Sequence, residues 1–543
     1  MSKPDQRHLP ATLEESHVLI GDLLAENRQM QARIDWLARK VFGRSSERLA
    51  AGEPDFFGQP FAPEQNANDN AGDNAADPAG PANNANDNPG VMSKRAARRS
   101  ALDDLPRQVI VHDVAQADKR CACGREKTRI GQDDSEQLEY IPASVFMLQH
   151  VRPKYACPAC HDGVVQAPMP AMPIERGAVG PGLLAHLIVS KYADHLPLHR
   201  QESILARHGI DLPRSLTCEW VMKSAELLEP VAAAMRREIL AGALVSTDDT
   251  PVDVHTKQGN HQARLWAYVG DPLHPHTVYD FTWDRTGEGP RKFLAGFAGT
   301  LQADAFSGYD ALFRVDPKNP KKIPPIEAGC LAHARRKFHD ARAEDPLVAL
   351  PILALMRELY DFEREAKDRW PVLRQARPDP HELAVALAGR LALRREKSAP
   401  RMETLKARLL ALRDQVLPKS GLGGAVGYAL GHWKALSRFL EDGLVAIDNN
   451  AAERAIRPLA LGRKNWLHLG SRRGGKAAAT LFTLVQSARR HGIDPFQYLR
   501  DLLTRIPTHR HSQIHELFPD NWLKLRQEAA SDKAVAPAEP ADL

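Results

Sequence analysis

Ala243-Leu244-Val245-Ser246-Thr247-Asp248-Asp249 is a short apolar run, rich in β-formers, that ends in two acids. It interrupts a region of helical periodicity, and such a run bounded by polar turn residues reads as a buried strand. Gly299-Thr300-Leu301-Gln302-Ala303-Asp304 repeats the pattern and also ends in an acid. Residues 263–269 and 277–283 are β-rich, 326–330 is short and apolar, and 290–297 and 331–343 read as helices. Strands followed by helices, with carboxylates at strand ends, predict an α/β layer fold whose site lies at the strand edge. Thr250-Pro251 places Asp249 in a turn, which leaves Asp248 as the acid of the first strand.

At 543 residues the chain is too long for one core, and three or more domains are expected. Net charge is only +5, but the basic residues are clustered, and clusters make a nucleic-acid footprint. Residues 1–10 are polar and lack the apolar core of a secretory signal, and no apolar run approaches a membrane span. A cytoplasmic protein without membrane contact is expected, with its six cysteines reduced or bound to metal.

Residues 1–50 read as a zipper segment, with a heptad pattern over 13–42. Leu13, Ile20, Asn27, Ile34 and Val41 share one position, and Ser16, Leu23, Met30 and Leu37 the other. This predicts a coiled coil that makes a homodimer or higher oligomer, with Asn27 setting the register. Residues 51–100, rich in Asn, Asp, Ala, Pro and Gly, are expected to be a disordered linker, closed by the basic cluster Lys94-Arg95-Ala96-Ala97-Arg98-Arg99. In 101–170, Cys121 and Cys123 pair with Cys157 and Cys160 as four thiolates for one structural zinc ion in a small ribbon. Residues 171–240 read as helices with tight Pro and Gly turns, in the manner of a helix-turn-helix DNA-binding region. A catalytic domain over 241–505 contains a helical insertion at 345–441, and 506–543 reads as a tail.

Asp448-Asn449-Asn450-Ala451-Ala452-Glu453 puts Glu453 on the first turn of a helix. By itself, Glu453 fits a capping box with Asn450 and an i,i+4 ion pair with Arg457. A basic strip follows at once: Arg454, Arg457, Arg463, Lys464, Arg472, Arg473 and Lys476, with no acid among them. An acid beside such a strip suits a metal held against a phosphate backbone. Phosphodiester cleavage calls for two divalent cations, Mg²⁺ or Mn²⁺, and three carboxylates from separate elements can hold them. Asp248 would bridge the ions, with Asp304 and Glu453 completing the set. His333, with Arg336 and Lys337, is placed to contact phosphate. Cys330 and His333 share one helical turn, and as two residues alone they read as supporting or core groups. Gly470 to Lys476 reads as a glycine-rich turn without the spacing of an ATP-binding loop.

These landmarks resemble the transposases of the insertion sequence 66 family. The resemblance runs through Val151-Arg152-Pro153-Lys154-Tyr155-Ala156-Cys157, Lys191-Tyr192-Ala193-Asp194-His195-Leu196-Pro197-Leu198 and Asp248-Asp249-Thr250-Pro251. It continues through Leu301-Gln302-Ala303-Asp304, Ala332-His333-Ala334-Arg335-Arg336-Lys337-Phe338 and Asp448-Asn449-Asn450 with Glu453-Arg454. The chain departs from the family's usual Asp-Glu at Asp248-Asp249 and from its usual Ser-Thr-Leu at Ser215-Leu216-Thr217. The resemblance implies a DDE-type, ribonuclease-H-like core with an all-α insertion before the final Glu, and it matches Asp248, Asp304 and Glu453 to the triad. It further implies metal-dependent strand cleavage at the inverted-repeat ends of a mobile element and transfer of the freed 3′-hydroxyl into target DNA. The basic strip would then line the DNA channel, and accessory proteins of the same element would be further partners on the nucleoid. Two rival readings share these residues: a structure-specific nuclease that cleaves without joining, and a non-catalytic DNA-binding repressor.

Overall fold

The computed structural model describes residues 147–155, 165–175, 179–315, 323–375 and 377–535. The chain divides into two units, Met1–Glu139 and Tyr140–Leu543, and every described residue belongs to the second. The heptad segment, the linker, the basic cluster at 94–99 and Cys121, Cys123, Cys157 and Cys160 all lie outside the described residues. The short strands β1 (Lys154–Tyr155) and β2 (Val165–Gln166) pair antiparallel on either side of the second cysteine pair.

The central sheet is mixed. Strands β3 (Leu244–Thr256), β4 (Gly259–Gly270) and β5 (Thr277–Thr282) form an antiparallel meander. Strands β6 (Thr300–Gln302) and β7 (Ile326–Ala328) then add parallel to β3, for the order β5-β4-β3-β6-β7. A last strand, β8 (His468–Leu469), pairs parallel with the far end of β3.

Strand β3 runs well past the acid doublet, so Asp248 and Asp249 are mid-strand and Asp249 is not in a turn. Pro251 had suggested a break. It is tolerated because β6 pairs only up to Ser246 and β8 only from Asp253. Over residues 247–252 one side of β3 has no strand neighbour, and a proline that cannot donate to a ladder costs little there. That gap in the sheet is where the acids sit.

Helices α1 (Pro181–Tyr192), α2 (Leu198–Arg207) and α3 (Arg214–Ala241) precede the sheet. They share one hydrophobic core with it: Leu184, Leu187, Trp220, Leu228 and Met235 are buried together with Trp266, Tyr268 and Leu301. The short α4 (Glu288–Phe293) joins β5 to β6. Helix α5 (Leu331–Ala341) leads from β7 into a helical insertion. The insertion comprises α6 (Pro346–Arg369), α7 (Pro380–Leu393), α8 (Ala399–Arg413), α9 (Gly421–Gly431) and α10 (Trp433–Leu436). It has its own core, in which Met356, Leu359, Leu405 and Val426 pack with Phe338 of α5.

Helix α11 (Asn450–Trp466) returns the chain to the sheet, and α12 (Arg472–Arg490) packs along β5. An edge strand exposes unpaired backbone groups. Here the side chains of α12 satisfy them: Tyr279 N–H donates to Thr483 Oγ1 at 2.9 Å and Thr277 N–H to Ser487 Oγ at 3.0 Å. Gly475 lets the helix approach, since a Cβ there would lie 2.4 Å from the Phe281 ring. The expected glycine-rich turn at 470–476 is therefore mostly the first turn of α12, capped by Ser471, whose hydroxyl accepts from Gly474 N–H.

Helix α13 (Pro495–Arg505) and α14 (Pro519–Val535) follow. The segment from 506 onward is more than a tail. Ile514, Leu517, Phe518 and Trp522 are buried in the main core, and Trp522 Nε1 donates to Asp501 at 2.8 Å. Among the described residues, no helix is long and apolar enough to cross a membrane.

Candidate active site

The gap in the sheet is closed by α11 through side chains that answer the unpaired backbone of β3. Asn449, fully buried at the start of α11, donates from Nδ2 to Thr247 O at 2.8 Å. Arg463, one face along the helix, donates to Thr250 Oγ1 at 2.8 Å and to Pro251 O at 2.6 Å. Tyr279 OH on β5 donates to Ala455 O at 2.7 Å. Buried acceptors are costly when unpaired, so these bonds hold α11 in one position. They bring Glu453, on its first turn, near Asp248 of β3.

Asp248 is half-buried and accepts a hydrogen bond from the Asp249 N–H at 2.8 Å. Burial, with the charges of Asp304, Asp249 and Glu453 nearby, pushes its carboxyl up to about 7. Asp304 is also held above the ordinary carboxylate range by burial, which His333 and Arg285 partly offset. The three expected carboxylates are thus brought into one electrostatic neighbourhood.

Asp249 behaves differently. Its side chain is 3 % exposed and pairs with Arg264 at 3.1 Å and Arg285 at 2.9 Å. Two guanidinium groups neutralise it, while Asp248 faces other acids. The choice of Asp248 over Asp249 therefore rests on charge pairing, and the turn that the sequence suggested plays no part.

Glu453 is not the partner in a capping box. The N-cap is Asn449, and no side chain caps the helix. The ion partner of Glu453 among the described residues is His333, whose Nδ1 lies 3.6 Å from Oε1. Both atoms are buried and neither has a hydrogen-bond partner. Cys330, buried beside them, accepts a hydrogen bond from the Asn449 N–H at 3.2 Å. Burial pushes its thiol up to about 11.

Crowded acids and an unsatisfied carboxylate oxygen are the donors that a divalent cation takes. Asp248, Asp304 and Glu453 fit such ions. Asp448 lies just outside the group. It accepts from Asn450 N–H at 3.2 Å and from Asn450 Nδ2 at 2.8 Å.

The basic strip divides. Arg454, Arg457, Lys464 and Lys476 are exposed. Arg463 is tied to β3, and Arg473 pairs with Glu219 at 2.9 Å and Glu226 at 2.7 Å on α3. Arg472 lies over the Trp283 ring, 4.0 Å from its centre. Arg336 and Lys337 are exposed on α5, with Lys337 against the Tyr428 ring.

One functional cluster has no counterpart in the sequence reading. Glu363 on α6 receives Arg394 Nε at 2.6 Å and Arg390 Nε at 3.0 Å, all buried. Arg394 Nη1 also donates to Phe439 O, Asp442 O and Val445 O, and Arg390 Nη1 to Gly443 O. This clamp fixes the loop that delivers Asn449 and Glu453. Arg390 and Arg394 are four residues apart on a helical stretch, a spacing that any solvated face shares, so no local signal marks them.

Residues 176–477 match the Transposase IS66 family. Residues 118–161, which contain all four paired cysteines, match the zinc-finger binding domain of transposase IS66. Residues 483–519 match the IS66 C-terminal element, and 29–110 the Transposase C of IS166 homeodomain. Among curated proteins, the uncharacterized protein y4jD of Sinorhizobium fredii is 34% identical over 536 residues, covering 95% of this chain and 97% of its own length. The uncharacterized protein y4qI of the same organism is 36% identical over 426 residues, covering 76% of this chain and 75% of its own. The family implies DNA as partner and a divalent metal, and the zinc-finger domain implies zinc. On these matches the chain belongs to the IS66 family of transposases.

Proposed function

We propose that this protein is a DDE transposase: it cleaves DNA strands at the inverted-repeat ends of an insertion sequence and joins the freed 3′-hydroxyl to target DNA. The observation that carries this reading is that the charges of Asp304 and Glu453 both act on Asp248, which lies where β3 has no strand neighbour on one side. The strand order β5-β4-β3-β6-β7, antiparallel then parallel, with an all-α insertion ahead of the final acid, supports a ribonuclease-H-like core.

Asp248, Asp304 and Glu453 would hold two Mg²⁺ or Mn²⁺ ions, which when bound supply the charge that activates the attacking oxygen and stabilises the leaving one. Asp248 contributes the carboxylate most in need of a cation. Glu453 contributes an oxygen that no protein donor satisfies. Asn449 and Arg463 hold α11 against β3, so both acids keep their spacing when DNA enters. Arg454, Arg457, Lys464 and Lys476 present exposed positive charge along α11 and at the start of α12, suited to phosphate contacts that strengthen binding without reading sequence. The heptad segment would pair two chains across the two element ends, and the four paired cysteines would hold structural zinc.

The test is cleavage and strand transfer on DNA carrying the element's ends. Asp304→Asn and Glu453→Gln are expected to lower cleavage by about 10³-fold or more while end binding persists. Normal cleavage by both variants in Mg²⁺ would refute the assignment. Cleavage by the wild type without joined products would make it a nuclease.

A further inference from the structure

Beside the carboxylates lies a donor set of different chemistry. Cys330, the N-cap residue of α5, and His333, on its first turn, face Glu453 of α11, and one ligand atom from each lies within 4.8 Å of the others. In a tetrahedral site with bonds of about 2.0–2.3 Å, ligand atoms stand roughly 3.3–3.7 Å apart. The His333 Nδ1 to Glu453 Oε1 separation is already 3.6 Å. Neither of these two atoms has a hydrogen-bond partner although both are buried, and the Asn449 N–H points at the sulfur, as a supporting donor does to a ligated thiolate.

Magnesium does not use such a set, because it takes hard oxygen donors. Sulfur, imidazole and one carboxylate suit zinc or a related transition metal, with a fourth position open. We propose that Cys330, His333 and Glu453 form a zinc site that shares Glu453 with the catalytic carboxylates, so that zinc bound there withdraws Glu453 from the magnesium cage. The thiol proton leaves to solvent as sulfur ligates. The competition for Glu453 rests on the catalytic reading above; the zinc stoichiometry does not.

Zinc content of the full chain, loaded with Zn²⁺ and freed of excess, tests this. The double variant Cys330→Ser, His333→Gln should bind one equivalent fewer than the wild type. The Co²⁺-substituted wild type should show stronger thiolate charge-transfer absorption than Cys330→Ser, which keeps only the contribution of the four paired cysteines. Glu453→Gln, which leaves the buried cysteine in place, should weaken that equivalent about tenfold or more. Asp304→Asn should keep it. Equal zinc content in wild type and double variant, both folded by circular dichroism, overturns the site. Should the double variant fail to fold, unchanged zinc affinity in Glu453→Gln overturns it instead. Normal cleavage by Asp304→Asn would remove the catalytic reading and leave the zinc count standing.

Discussion

Asp248 and Asp249 are adjacent carboxylates with opposite fates. Asp249 is sandwiched by Arg264 and Arg285, whereas Asp248 faces Asp304 and Glu453. An ordinary unfolded carboxyl titrates near 4, and burial with these neighbours raises that of Asp248 to about 7. A group whose folded value is raised stabilises the fold while protonated. That contribution is complete below about pH 4 and is lost as pH rises through about 7. Without divalent cations, the wild type should therefore lose thermal stability between these limits relative to Asp248→Asn, and added Mg²⁺ should close the difference. Melting curves of both proteins across this range check it, and a constant difference would mean that Asp248 is not crowded by acids. The strand that carries both acids was legible in the residues, because an apolar run rich in β-formers leads into them. Which of them is neutralised was not, because the two arginines come from β4 and from the loop after β5.

Helix α11 is placed by tertiary contacts. Its own sequence supports a helix from Asn450, but Glu453 could face any direction on that helix. The Asn449 bond to Thr247 O and the Arg463 bonds to Thr250 and Pro251 choose one. The insertion holds the other end of the same connection. Arg394 and Arg390 hold the Glu363 carboxyl down to about 2 despite its burial, and their remaining donors grip the backbone between Phe439 and Val445. Removing the shared acid would leave two buried cations without a counter-charge, which costs about 3–5 kcal/mol. Glu363→Gln is thus expected to lower the melting temperature by several degrees and to reduce cleavage without touching a metal ligand. Calorimetry with a cleavage assay checks both, and an unchanged melting temperature would show that the clamp does not bear on the fold. The helices of the insertion were readable from their periodicity. Their role was not, because each arginine looks like an ordinary solvated residue until the chain folds.

At the scale of the molecule, the helices before the sheet and the segment after α13 belong to the same core as β3–β6. A boundary at 240 falls in the last turn of α3, whose side chains share that core. The C-terminal segment contributes Ile514, Leu517, Phe518 and Trp522, and Tyr498 OH donates to Leu517 O at 2.7 Å. Burying each such side chain is worth about 1.5–3 kcal/mol, and together they rival the whole stability of an average domain. Deletion of residues 511–543 should leave a chain that is insoluble or unfolded by circular dichroism. A soluble truncated protein with the wild-type melting temperature would show that these contacts are dispensable. Short segments broken by Pro507 and Pro519 carry too little periodicity to announce a helix or a buried face, which is why the segment read as a tail.

Local pattern alone determined the strands that carry Asp248 and Asp304, the helix that carries Glu453, the all-α stretch between them and the family resemblance, since each depends on residues close in the chain. Only the tertiary structure decided that β3 continues through Pro251, that Asp249 is neutralised, that Glu453 turns toward His333 and that the buried Glu363 clamp holds the connecting loop. Those outcomes depend on partners tens to hundreds of residues away. Burial and charge act through space, and a sequence displays only the residues that could meet.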